Sequence, residues 1–336
     1  MSTPILIDVP GFPYKSYPEG WYQVGWSGEF AAATASPRTF FGTELAIYRG
    51  DSGRIYVTDA YCPHMGAHLG YAGVEGECLR CPFHAWLWDA NGNVTEILYS
   101  ERLNSSRRLR HWPAREKNGM VFVWYHPYGD PPSWPDPIPA VPGAETDKLY
   151  PVYPHACHVE ELRMQPQFAT ENIADAHHNG AVHRWAGTPR LSDFDIDGHI
   201  FTTKNKGEIR TRRGLVPQTV TAKAYGIPII FTQHELDLGD SGDVATEFAA
   251  VCVTPTQGLN SKLFVTSWIP RTLGDTGDEP TGRAKAMVHG THSEVFVSDG
   301  TIWKHMRYES KPPWAREEAK VMSALRNWCQ QYYPAG

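Results

Sequence analysis

Two short cysteine–histidine pairs constrain this chain more than anything else in it. Cys62 and His64 have one residue between them, Cys81 and His84 have two, and sixteen residues separate His64 from Cys81. Proline follows each cysteine directly, at Pro63 and Pro82, and glycine is frequent in between, so both pairs read as tight loops. A fold that uses them must bring together two loops that each carry one thiol and one imidazole.

A structural zinc site more often pairs like with like, Cys-x2-Cys followed by His-x3-His. The mixed pairs here suit a [2Fe–2S] centre of the Rieske type, in which one iron takes both thiolates and the other both imidazoles. Two neutral imidazoles in place of thiolates remove negative charge and raise the reduction potential. Zinc and a hydrogen-bonded core are the competing readings, and the spacing with its two prolines favours the cluster. Cys78 lies six residues before His84 and breaks the register, so it is expected to be a packed thiol. His68 has no partner at ligand spacing and is expected to be structural or at the surface.

The rest of the composition narrows the setting. The 336 residues suffice for two domains, with 41% hydrophobic and 20% charged residues, ordinary for a soluble globular chain. A formal net charge of −6 gives no support to a nucleic-acid or anionic-membrane partner. The opening "MSTPILIDVPGFPYKS" has neither a basic start nor a long apolar run, and no stretch approaches the roughly 20 apolar residues of a membrane span. A reducing cytoplasm is the expected location, where metal binding is a commoner use of cysteine than disulfides.

Residues 20 to 125 hold short β-branched or aromatic runs ended by Gly, Asp or Asn, such as "GRIYVTDAYC" and "GMVFVWYH", and read as an all-β domain. The stretch 126 to 145 contains seven prolines and can be neither helix nor central strand. The expected division is therefore an N-terminal arm and cluster domain over 1–126, a Pro-rich linker over 127–145, and a second domain over 146–336. In the second domain a helical pattern runs up to Gly180, followed by long antiparallel strands. Two closing helices are expected. One presents Val295, Asp299, Ile302, Trp303 and Met306 on one face, and the other presents Met322, Leu325, Trp328 and Tyr332 after a Pro312-Pro313 start signal. The fold class is α+β, helices on an antiparallel sheet after an all-β first half.

A second constellation lies in "ENIADAHHNGAVH", residues 171 to 183. Asp175 and His178 share a helix face, whereas His178 and His183 lie about 140° apart on a regular helix. They could bind one ion only if the helix breaks, and Gly180 is the expected break. Two imidazoles and a carboxylate with open positions form the ligand set of mononuclear iron(II) that activates dioxygen. On this segment alone a polar helix surface is the commoner alternative. The cluster motif shifts the weight, because a high-potential centre makes sense when it feeds electrons to a second redox site.

With both motifs in hand, the chain resembles the Rieske non-haem iron oxygenases over nearly its whole length. "DAYCPHMGAHLG", "CPFHAW", "NGMVFVW" and "SDGTIWKH" are most similar to the 3-ketosteroid 9α-hydroxylase oxygenase components and the cholesterol 7-desaturases. The resemblance implies a helix-grip catalytic domain. It also implies that Cys62 and Cys81 bind one cluster iron and His64 and His84 the other, and that His178, His183 and Asp299 hold the catalytic iron. Glu294 is the nearby competitor for the third position. Asp175 resembles the carboxylate that bridges to a cluster histidine of a neighbouring subunit in a homotrimer, and Asn172 the asparagine beside the iron. The implied activity is that of a terminal monooxygenase component acting on an apolar, polycyclic, steroid-like substrate with O2. Aromatic ring dihydroxylation and oxidative demethylation are alternatives on the same machinery. Electrons from NAD(P)H would arrive through a flavin/iron–sulfur reductase, with or without a ferredoxin, since the sequence has no dinucleotide Gly-rich fingerprint.

Overall fold

Alternating and β-branched runs closed by tight turns build the first half as two sheets. In the computed structural model, which describes residues 11–211, 214–237 and 244–334, eight short antiparallel strands form one sheet. Its order is Val94–Glu96, Leu87–Trp88, Cys78–Arg80, Gly73–Glu75, Thr34–Phe40, Thr43–Arg49, Ile55–Asp59 and His111–Trp112. Strands Gly20–Trp26, Met120–Tyr125 and Ala114–Lys117 form a second, three-stranded sheet. The first ten residues, on which the expectation about the chain's opening rests, lie outside the described residues.

The second half is a seven-stranded antiparallel sheet. From residue 186 to 268 it runs as a meander of five long hairpin-connected strands and a sixth, Asn260–Trp268, and Cys157–Arg163 is added at that sixth strand's free edge. Helices Pro166–Asn172, Gly282–His292 and Ala319–Cys329 accompany it. This is the expected α+β architecture, an all-β first half and an antiparallel sheet with helices.

The two halves share one core. Trp21, Tyr22, Phe41 and Tyr125 belong to the same buried cluster as Ile229, Val253, Phe264 and Leu325. Strand Gly20–Trp26 is the seam, since Trp26 Nε1 donates to Thr266 Oγ1 at 2.8 Å and Thr254 Oγ1 donates to the Gln23 carbonyl at 2.6 Å. A smaller separate core gathers Cys62, Cys81, Trp86 and Trp88. Residues 127–145 carry no helix or strand and pack Trp134, Ile138 and Val141 into the shared core.

Three expectations need correction. The helix expected to reach Gly180 stops at Asn172, and Gly180 instead sits inside a second short helix, His178–Ala181. The break is the turn at 173–177, where the Asp175 side chain accepts from backbone N–H groups and competes with helix continuation. The last helix begins at Ala319, not directly after Pro312-Pro313, so those prolines belong to the preceding loop. Ile302 is exposed rather than on the buried face of Val295, Asp299 and Trp303. Ile302 lies one step before Trp303 on the short helix Gly300–Trp303, about 100° round it from that buried ring, and so falls on the outer side. Among the described residues no helix is long and apolar enough to cross a membrane.

Helix Pro166–Asn172, which leads into the segment that carries His178 and His183, is pinned to the last helix by one ion pair. Arg326 Nε and Nη2 each donate to Glu171 at 3.0 Å, and Gln167 Nε2 donates to the same carboxylate at 2.9 Å. Glu171 is 8% exposed, so its charge depends on these donors. Arg326→Ala should therefore destabilise the protein by about 3 kcal/mol in urea unfolding, the cost of stranding a buried charge. A loss below about 1 kcal/mol would show that water replaces the guanidinium.

Candidate metal centres

The two cysteine loops have the same backbone construction. Cys62 N–H donates to the Ala67 carbonyl at 2.9 Å, and its own carbonyl accepts from Gly66 N–H at 2.9 Å. Cys81 N–H donates to the Trp86 carbonyl at 2.9 Å, and its carbonyl accepts from Ala85 N–H at 3.0 Å. The residue four beyond each cysteine is left-handed, Gly66 at φ 76° and Ala85 at φ 56°. That conformation is easy for glycine and costly for alanine. Arg80 supports the second loop by donating to the Ala85 carbonyl at 2.9 Å.

These matching turns bring like groups together. Both thiols are buried, and burial raises the Cys62 thiol pKa, a shift that the adjacent Cys81 sulfur reinforces. The His64 and His84 rings meet edge to face at 4.8 Å, and His64 stacks on Trp86 at 4.3 Å. His84 Nδ1 is buried with no hydrogen-bond partner, and a bond to a metal would satisfy it. Two adjacent buried thiols and two imidazoles in contact fit a Rieske [2Fe–2S] centre. Cys78 lies outside the set as a half-buried thiol, and the ring of His68 accepts from Gly70 N–H at 3.1 Å.

The second constellation is tertiary. The Asp175 carboxylate accepts from the backbone N–H groups of His177 at 2.9 Å and His178 at 3.2 Å, which starts the short helix. His178 Nδ1 meets the Asp175 carbonyl, so Nδ1 carries the proton and Nε2 is left as the lone pair for a metal. His183 Nε2 lies 3.3 Å from Asp299 Oδ1, and the His178 and His183 rings are 5.1 Å apart. One ligand atom from each of His178, His183 and Asp299 falls within 4.8 Å of the others. Burial pulls the His183 pKa down, but the Asp299 carboxylate outweighs it and the net is a rise. Two imidazoles and one buried carboxylate fit mononuclear iron(II) with open positions.

The remaining expected residues sit close by. Asn172 Oδ1 accepts from Trp303 Nε1 at 3.4 Å and lines the cavity beside the triad. Asp175 is half-buried, with 35% of its side chain exposed in this single chain. Glu294 lines the cavity but stays outside the triad, and His177 points to solvent.

The triad opens onto a cavity of about 140 Å³ floored by the sheet, and an adjoining chamber of about 530 Å³ leads out past Arg184 and Arg210. Val220, Ala222, Ile230 and Val251 make the floor largely apolar. Asn205, Gln218, Thr232 and His234 on the same floor were not singled out from sequence. A signal exists for two of them, since Thr232 and His234 fall two apart in a run that is otherwise apolar before them. Burial, with His183 nearby, pushes the His234 pKa down to about 4.

The comparisons with known proteins settle the family. The 3-ketosteroid 9alpha-hydroxylase C-terminal domain family matches residues 123–333, and the Rieske [2Fe-2S] domain family matches residues 20–107. The protein is a Rieske non-haem iron oxygenase. A probable 3-ketosteroid-9-alpha-monooxygenase oxygenase component from Rhodococcus rhodochrous is 28% identical, over 97% of this chain and 82% of that one. Cholesterol 7-desaturase nvd of Drosophila melanogaster is also 28% identical, over 98% of this chain and 77% of that one. Among solved structures, dicamba monooxygenase bound to dicamba superposes with a TM-score of 0.70 at 14% identity, covering 94% of this chain and 96% of that one. Pseudomonas putida CBB5 NdmA with caffeine gives a TM-score of 0.68 at 16% identity, covering 92% and 89%. These two show a shared fold.

The donor sets predict about three irons per loaded chain, two in a cluster and one mononuclear. His183→Ala should lower iron to about two per chain and leave the visible absorption of the cluster intact, because the sites have separate ligands. Loss of that absorption together with the third iron would overturn the division of ligands.

Proposed function

We propose that the protein is the terminal oxygenase component of a multicomponent system and hydroxylates an unactivated C–H bond of an apolar, steroid-like substrate. The observation that carries this reading is the His178–His183–Asp299 triad opening onto a largely apolar cavity. Sites for drug-sized ligands run to about 300–1,000 Å³, so a polycyclic substrate would span the inner cavity and the outer chamber. The names of the relatives, which act on 3-ketosteroids and cholesterol, support the same substrate class.

When bound, the [2Fe–2S] cluster and the iron(II) supply one-electron transfer and dioxygen activation. The chain supplies the rest. Cys62, Cys81, His64 and His84 would hold the cluster, and His178, His183 and Asp299 would hold the iron beside the cavity. The Asp175 carbonyl fixes the His178 tautomer. Val220, Ala222 and Ile230 exclude water from the reacting position, and Asn172 is held beside it by Trp303.

We assign the partners on the same basis. The half-exposed carboxylate of Asp175 would accept from a cluster histidine of a second copy in a homotrimer. Met65 and Phe83, exposed at the tips of the two cysteine loops, give that contact an apolar rim. A separate reductase delivers electrons from NAD(P)H, and the cytoplasm suits a chain whose six cysteines are all free. The division at 1–126, 127–145 and 146–336 is retained, although the shared core makes it one of function more than of packing.

Incubation with a reductase, NAD(P)H, a steroid and labelled dioxygen should give a product carrying one labelled oxygen. Two labelled atoms would mean dihydroxylation, and loss of a one-carbon fragment would mean demethylation. Asp175→Asn should keep its iron and its assembly state while turnover falls at least about tenfold, because the bridging hydrogen bond loses its charge. If that variant reoxidises its cluster as fast as the unmodified protein, the bridge assignment is wrong.

A further inference from the structure

The sheet floor of the cavity carries an acceptor that the protein itself leaves without a donor. Asn205 lies on strand Ile200–Thr211 opposite Val220, which in turn lies opposite His234 on the next strand, so the three share the face beneath the triad. Asn205 is 4% exposed. Its amide nitrogen donates to the Ile173 carbonyl at 3.4 Å. A carbonyl oxygen only accepts, so this contact fixes which end of the amide is nitrogen. The other end, Oδ1, is buried and unpartnered.

The neighbouring polar groups are tied into one chain. Gln218 Nε2 donates to His234 Nδ1 at 3.1 Å, and His234 Nε2 donates to Thr232 Oγ1 at 3.1 Å. The Thr232 hydroxyl donates onward to the Ala249 carbonyl at 3.3 Å. That chain runs in one direction and fixes the neutral tautomer of His234, and of its donors the second N–H of the Gln218 amide is the one left over. Of the side chains lining the cavity, the buried polar atoms without a partner are Asn205 Oδ1 and His183 Nδ1, and the latter belongs to an iron ligand. A buried acceptor in a low-dielectric pocket is costly to leave unmet, so its natural complement is a donor carried in by the substrate.

We propose that Asn205 sets substrate specificity by accepting a hydrogen bond from a hydroxyl on an otherwise apolar polycyclic skeleton, and so selects an alcohol over the corresponding ketone. This rests on reading the cavity as the substrate site. A ketone oxygen at that position would set two acceptors face to face and leave Oδ1 without a donor. The hydroxyl, once anchored on the sheet floor, fixes which carbon of the skeleton faces the triad. Specificity of this kind can be large, because a site built for a donor pays the full penalty of an unmet group when the donor is missing.

The test is equilibrium binding to the iron-loaded protein without dioxygen, followed through the fluorescence of Trp185 and Trp303, which line the cavity. Two ligand pairs are compared, androstanol with androstanone and decalol with decalone, each pair differing only at one oxygen. The alcohol of a pair should bind at least about tenfold more tightly than its ketone. Asn205→Leu, similar in size and without the acceptor, should weaken the alcohol by about that factor and leave the ketone within about twofold. Binding without any alcohol preference in the unmodified protein, which needs no variant to fold, overturns the inference alone. Equal weakening of alcohol and ketone by Asn205→Leu also overturns it, by making Asn205 a support for Ile173 only. Binding of decalols but not steroids supports the role of Asn205 while overturning the steroid-like substrate, and binding of neither pair overturns both readings.

Discussion

The contact between His183 and Asp299 is the point on which the catalytic half depends. A carboxylate taken out of water costs several kcal/mol unless a partner or a metal compensates it. Asp299 is 8% exposed, and the imidazole 3.3 Å away answers its charge. The two residues come from opposite ends of the catalytic half. His183 leaves a short helix just before the meander starts, and Asp299 arrives only after the meander is complete. The wide turn over Ser293–Asp299 turns the carboxylate inward, and a regular helix would give its neighbours a different phase. Such turns are less stable than an α-helix, and their occurrence at functional sites fits a local cost accepted for a ligand's direction.

The cluster loops solve the same problem by local means. Each ligand pair lies within a few residues of a turn that its own backbone closes, and the two turns repeat one hydrogen-bond pattern. The positions of Cys62, His64, Cys81 and His84 therefore depend mainly on a hairpin-rich unit with its own small core. The His178–His183–Asp299 triad instead depends on the long-range core that strand Gly20–Trp26 joins to the sheet. Mutations far from the triad, such as those at the Arg326–Glu171 pair, can thus reach it through helix Pro166–Asn172.

That difference explains what could be read from the sequence. The cluster loops were legible from spacing because their geometry is encoded within a few residues. The strands around residues 214 to 268 were legible from their apolar runs. Strands Ala186–Asp197 and Ile200–Thr211 were not, because both are rich in charged and exposed residues and owe their pairing to the sheet. Asp299 was legible only through a resemblance, since nothing in its spacing ties it to His183. The break in the ligand helix was placed at Gly180 because glycine is the usual breaker, whereas the competing hydrogen bonds of Asp175 make it. The face of Ile302 was misread because the helix that carries it, Gly300–Trp303, is a single turn, too short for hydrophobic periodicity to fix its phase.

The segment that carries His183 shows how the sheet and the ligand specify each other. Arg184, directly after His183, is held at φ 58°, a left-handed conformation that costs a side-chain-bearing residue about 1 kcal/mol or more. What holds it there is the next residue. Trp185 N–H donates to the Asn179 carbonyl at 3.0 Å, and its indole ring presses onto strand Ile200–Thr211 at Gly207. A Cβ at Gly207 would meet the ring at 2.5 Å, so the strand accepts the indole only because that residue has no side chain. The same ring walls the cavity. A glycine that weakens a strand, and an arginine in a strained conformation, together fix the backbone on either side of Trp185 and so the direction of His183. The local rules of sequence are broken at these two positions because the ligand's place is decided by tertiary packing.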